Sequence, residues 1–184
     1  MTTAYTVHPT YSSPFFSVRA IDPAVLERLR RTDDAGLTPE PAVDGEGGAP
    51  LRCCLRRSAP GERVALVAYA PLRRWAAATG ARPGPYDETG PVFVHARAAD
   101  CPGPPAGTGH AQALGLHGEH RVLRSYDGNG RILGGRLVLL SAEEAAAGAA
   151  EAVLATRFAD PRVALVHVRA VEYGCFLYEA VRAR

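Results

Sequence analysis

No lysine occurs in the 184 residues; all 21 basic side chains are arginines. That absence excludes Schiff-base chemistry on a lysine and the lysine of a phosphate-cradling P-loop. Also missing are the glycine patterns of dinucleotide and nucleotide loops, the GxSxG of serine hydrolases and the HExxH of zinc proteases. Motifs therefore predict no organic cofactor. No stretch approaches the roughly 20 apolar residues that span a bilayer, and the opening MTTAYTVHPTYSSPFFSV has neither a basic leader nor a continuous apolar segment. The expectation is a cytoplasmic protein without a membrane partner. One-sided charge is lacking too: 21 basic against 19 acidic residues leave a net charge of +2, too little to select nucleic acid. The four cysteines, Cys53, Cys54, Cys101 and Cys175, read as reduced thiols in that compartment.

What is present is a chain with 47% hydrophobic residues, enough for one core, and the expectation is a single domain over residues 1–184. After a polar start, Phe15 to Ile21 reads as a strand, and Asp22 with Pro23 caps a helix carrying Val25, Leu26 and Leu29 on one face. Residues 36–50 are rich in Gly, Pro and acidic side chains and predict a mobile loop. Strands are expected over residues 51–55, 63–70 and 92–96, with a short helix over 72–79. The segment from Asp100 to His120, which holds Cys101, His110, His117 and His120, predicts a loop. Residues 121–126 and 131–139 flank DGNG, a strong hairpin signal, and Ser141 with Glu144 forms a capping box for a helix running to about Thr156. Two further strands, 163–171 and 175–181, follow. With most strands joined by hairpins or loops, the pattern predicts an α+β domain, mainly antiparallel sheet with two or three helices.

Strand alternation places Leu165, His167 and Arg169 on one face and Val166 and Val168 on the other; it groups Val122, Arg124 and Tyr126 in the same way. A face carrying Arg124, Tyr126, His167 and Arg169 could bind a small anion, because guanidinium forks match carboxylate or phosphate and histidine moves protons near neutral pH. The same residues would also serve as an ordinary solvated sheet face. His95 lies in an otherwise apolar strand, where a histidine is commonly a hydrogen-bonded core residue. Cys175 follows the turn at Tyr173-Gly174 and would be a nucleophile if His95 or His167 stood beside it.

The blocks LRCCLRRSAPGERVALVAYAP, PYDETGPVFVHARAADC, LRSYDGNGRI and VALVHVRAVEYGCFLYEAVR, spanning about residues 51 to 182, resemble a bacterial family, domain of unknown function 1203. The resemblance carries no established activity. Its pattern opens with a CxxC pair that matches Leu51 and Cys54 here, so the first cysteine is absent. A complete pair with the His and Cys of HARAADC would imply a zinc set of three thiolates and one imidazole. In this chain Cys54, His95 and Cys101 remain, with Cys175 as the fourth candidate; Cys53 is expected to point away from Cys54 if the two lie on a strand.

The leading expectation is a protein that binds a small polar or anionic metabolite and acts on it by acid–base catalysis without a cofactor. His95, His167 and Tyr126 would be catalytic, and Arg124 and Arg169 would hold the substrate. Two rivals stand beside it: a non-enzymatic module holding zinc through Cys54, His95, Cys101 and Cys175, and a protein-interaction domain. An exposed sheet edge would suit a homodimer.

Overall fold

The computed structural model describes residues 11–104 and 119–183, and its strands fall into two sheets. In chain order these are β1 (Tyr11–Ser12), β2 (Phe16–Arg19), β3 (Pro41–Asp44), β4 (Pro50–Leu51), β5 (Arg56–Arg57), β6 (Glu62–Tyr69), β7 (Gly90–His95), β8 (Arg121–Tyr126), β9 (Ile132–Val138), β10 (Leu165–Ala170) and β11 (Phe176–Arg182). The helices are α1 (Pro23–Leu29), α2 (Pro71–Thr79), α3 (Ala142–Ala146) and α4 (Ala149–Phe158). One sheet has the order β1-β2-β11-β10-β8-β9 and the other β3-β6-β7-β4-β5. Every described pairing is antiparallel except β4 with β7. The fold is α+β, as expected, with more helices than the pattern suggested. No described helix is long and apolar enough to cross a membrane.

Local chemistry sets the element ends. Asp22 accepts from the backbone N–H of Ala24 at 2.8 Å and of Val25 at 3.3 Å, with Pro23 at the first helical position, so α1 starts where its donors are satisfied. Between β8 and β9 the Asp127 carboxylate accepts from the N–H of Asn129 and of Arg131, each at 2.9 Å, and closes the hairpin. Ser141 and Glu144 cap each other's backbone N–H at 3.1 and 2.8 Å. The helix they begin is shorter than expected: Gly148 takes φ +86°, a left-handed conformation that interrupts the run and makes α3 and α4 separate.

Two other expectations are corrected. Residues 36–50 contain an edge strand, β3, paired with β6 from Pro41↔Ala65 to Asp44↔Glu62. Backbone pairing and the Asp44 carboxylate, which accepts from Gly47 N–H at 3.0 Å and from the Ser58 hydroxyl at 2.5 Å, order a segment poor in apolar side chains. Residues 51–55 are not one strand. After Leu51 the chain turns, the Leu55 N–H donating to the Leu51 carbonyl at 2.8 Å with Leu55 at φ +57°. Most of the expected histidine-bearing loop, 105–118 with His110 and His117, lies outside the described residues, as does the polar start at 1–10.

The six-stranded sheet buries both faces at its centre, while its edge strand β9 is largely exposed. On one, Val166, Val168, Leu123 and Phe16 pack on Leu154 and Phe158 of α4, with the Phe16 and Phe158 rings stacked at 5.5 Å. The other face turns toward the second sheet. There Phe176 of β11 meets Tyr69 of β6 at 5.5 Å, and Tyr126 and Leu165 pack with Leu72 of α2. The buried Arg52 guanidinium, 3% exposed, ties the sheets together by donating through Nε to the Phe176 carbonyl at 2.7 Å and through Nη1 to the Pro50 carbonyl.

Candidate functional site

The face turned toward the second sheet carries charge where a core would carry hydrocarbon. Arg19 on β2 pairs across with Glu179 on β11, Glu179 with His167 on β10, and His167 with Arg124 on β8. Cross-strand partners share a face, so these side chains form one strip running across four strands. Tyr126 and Arg169 adjoin it on β8 and β10. The Tyr126 ring lies 4.8 Å from the His167 ring, and Phe176 meets His167 edge-on at 5.1 Å. Thus Arg124, Tyr126, His167 and Arg169 come together on one face.

Glu88, in the segment before β7, reaches over the strip. Its Oε1 accepts from Arg124 Nη1 at 2.6 Å and from Arg169 Nη1 at 2.5 Å. Arg169 also donates through Nε to the Gly174 carbonyl at 2.9 Å. The two guanidinium groups therefore share one carboxylate oxygen of the chain itself.

Several polar atoms of the strip are buried without a hydrogen-bond partner among the described residues: Arg19 Nε, the Tyr126 hydroxyl and both ring nitrogens of His167. Asp87 Oδ1, beside Glu88 in sequence, is another. Leaving such groups unpaired costs on the order of 1–3 kcal/mol each, which sets this strip apart from an ordinary core face.

The burial also sets protonation. Burial, and then the charges of Arg169 and Arg124, push the His167 imidazole down to about 3, so it is neutral at physiological pH. Burial pushes the Glu179 carboxyl up to about 7, against the opposing charge of Arg19. Burial raises the Tyr126 phenol, with the neighbouring Arg124 offsetting part of the rise. On this strip the group poised to exchange protons near neutrality is thus Glu179 rather than His167.

His95 is elsewhere. It ends β7 in the other sheet, opposite Val64, 1% exposed, with Nδ1 3.1 Å from Cys53 Sγ and 3.9 Å from Cys54 Sγ. Cys101 completes this group, in which one ligand atom from each of Cys53, Cys54, His95 and Cys101 lies within 4.8 Å of all the others. Among the described residues no hydrogen bond joins His95 to His167. Cys175 belongs to neither cluster; its thiol donates to the Tyr173 carbonyl at 3.6 Å, and among the described residues no hydrogen bond links it to His95 or His167. The metal-capable group accordingly includes Cys53 in place of Cys175. The reason is the turn after Leu51, which cancels the strand alternation that would have separated neighbouring cysteines.

Sequence reasoning missed Arg19, Glu88 and Glu179. A carboxylate between Tyr178 and Ala180, inside a strand whose other charged residue is the terminal Arg182, was the available signal for Glu179; Glu88, in an irregular segment, offered none.

A family model described as "Protein of unknown function (DUF1203)" matches residues 48–182. No curated protein and no solved structure matches the chain.

Proposed function

We propose that this chain, which belongs to the DUF1203 family, binds a small anionic metabolite on the strip between its two sheets and acts on it by acid–base catalysis without a cofactor at that site. The observation that carries the reading is the row Arg19, Glu179, His167 and Arg124, flanked by Tyr126 and Arg169, with buried polar atoms left unpaired. Convergent polar groups with strongly shifted pKa values are a common mark of sites where ligands bind and react.

Roles follow from the chemistry of each group. Arg124 and Arg169 take the anionic group in the place where Glu88 Oε1 now sits. Glu179, with its carboxyl pushed up to about 7, accepts or returns the proton, since a catalytic acid or base works best with a pKa near the working pH. Neutral His167 donates from one nitrogen and accepts at the other, and the Tyr126 hydroxyl donates to oxygen where negative charge develops.

The test is a thermal-shift series with inorganic phosphate, sulfate and short mono- and dicarboxylates on the purified full chain, run beside the Arg124→Gln/Arg169→Gln double variant. Binding raises the melting temperature of the native chain by mass action, and the double variant loses that rise. An unresponsive native chain, or a double variant that responds equally well, sinks the proposal.

A further inference from the structure

The second cluster has a chemistry of its own. We propose that Cys53, Cys54, His95 and Cys101 hold a single zinc ion that serves as a structural centre, separate from the strip. The ligand atoms lie within 4.8 Å of one another. Four donors around one tetrahedral zinc, at about 2.3 Å for sulfur and 2.0–2.1 Å for nitrogen, stand roughly 3.5–3.8 Å apart, and the His95 distances of 3.1 and 3.9 Å to the two thiols bracket that spacing. Three thiolates and one imidazole form a soft set suited to zinc, and a group this compact surrounds one ion rather than an iron–sulfur cluster.

The surroundings are those of a ligand shell. His95 presents Nδ1 to the thiols, while its Nε2 makes no hydrogen bond among the described residues; the Glu62 carboxylate, 3.7 Å away, is the nearby candidate for the outer partner a metal-bound histidine takes. The His95 backbone N–H donates to Cys53 Sγ at 3.3 Å, and the Arg56 backbone N–H bonds the Cys54 thiol. The Arg56 side chain also reaches Cys54, placing positive charge beside a centre that would otherwise carry a net charge of −1. The left-handed Leu55 closes the turn that aims adjacent cysteines at one point. Cys53, Cys54 and His95 are at most 3% exposed, so the ion would be shielded from water.

The chain fills all four positions, which leaves none for substrate and makes the centre structural. It would join three chain segments, the turn after β4, the end of β7 and the short helical turn at 98–100, near the point where Arg52 reaches across to β11.

The experiment is elemental analysis of full-length protein purified under reducing, chelator-free conditions, with Cys54→Ser, Cys101→Ser and Cys175→Ser variants measured in parallel. The native chain and Cys175→Ser should carry about one equivalent of zinc, and the other two less than about a fifth of that. Should those variants fail to fold, the native chain still decides the matter: cobalt(II) replacement should give the intense visible bands of a tetrahedral thiolate site. Alkylation should then spare three of the four thiols until the metal is stripped. A native chain that takes up neither zinc nor cobalt overturns the proposal. So do stoichiometric iron in place of zinc, and loss of metal in Cys175→Ser with retention in Cys54→Ser. Anion binding is measured separately, so failure of this centre leaves the strip standing, and the reverse.

Discussion

His167 and Glu179 face each other as cross-strand partners on β10 and β11, and burial drives both toward their neutral forms. The imidazole is pushed down to about 3 and the carboxyl up to about 7, so the two act on stability with opposite sign. A His with a depressed folded pKa supports folding above its unfolded value of about 6.5 and loses that support as pH falls toward 3. A Glu with a raised folded pKa does the reverse: stability is present below about 4.5 and is lost as pH rises through 7.

Between about pH 4.5 and 6.5 these slopes oppose each other, so the pair contributes little net pH dependence to the native chain. Urea unfolding of Glu179→Gln should then show stability rising with pH across this window, whereas His167→Gln should show it falling. Parallel curves for the two variants would mean that these groups do not titrate as described.

At pH 8 the native chain carries the unfavourable ionised Glu179. Glu179→Gln should therefore be the more stable protein there, by roughly 1–3 kcal/mol, and about equal to the native chain at pH 4. Chemical denaturation at the two pH values checks this. In the proposed reaction the same variant should lose most of its turnover, which separates a catalytic carboxyl from a merely costly one.

Glu88 occupies the arginine pair that the anion would use. Replacing it by Gln removes a competing carboxylate, so Glu88→Gln should bind small anions more tightly by about tenfold, while Arg124→Gln should bind them more weakly by about the same factor. Calorimetric titration with the best anion from the thermal screen reads both. Equal affinities in the two variants would place the anion elsewhere.

Arg52 is buried, and among the described residues its acceptors are the backbone carbonyls of Phe176 and Pro50. Its removal leaves both carbonyls without that donor and opens a gap between the sheets, so Arg52→Ala should cost about 2–4 kcal/mol in a urea titration. A loss below about 0.5 kcal/mol would show that the sheets hold together without it.

Much of the local structure was written in neighbouring residues. Asp22 caps α1, Asp127 closes the hairpin, and Ser141 with Glu144 starts α3, because each satisfies backbone groups only two to four positions away. Alternation along β8 and β10 was also readable, and it put Arg124, Tyr126, His167 and Arg169 on common faces within their strands. The sequence alone determined those faces and, through the missing lysines, the exclusion of lysine chemistry.

Tertiary structure decided everything that depends on register and on turns between distant segments. Which residue of β11 stands beside His167 is fixed by strand pairing, and a slip of one residue would have presented Tyr178 or Ala180 instead of Glu179. Arg19 joins the strip only because β2 pairs with β11, at the far end of the chain. Cys53 turned out to share a point with Cys54 because the backbone bends at Leu55, where a strand would have sent the two to opposite faces. Side-chain pattern reports which face a residue occupies within its own element; only long-range hydrogen bonding fixes what that face meets.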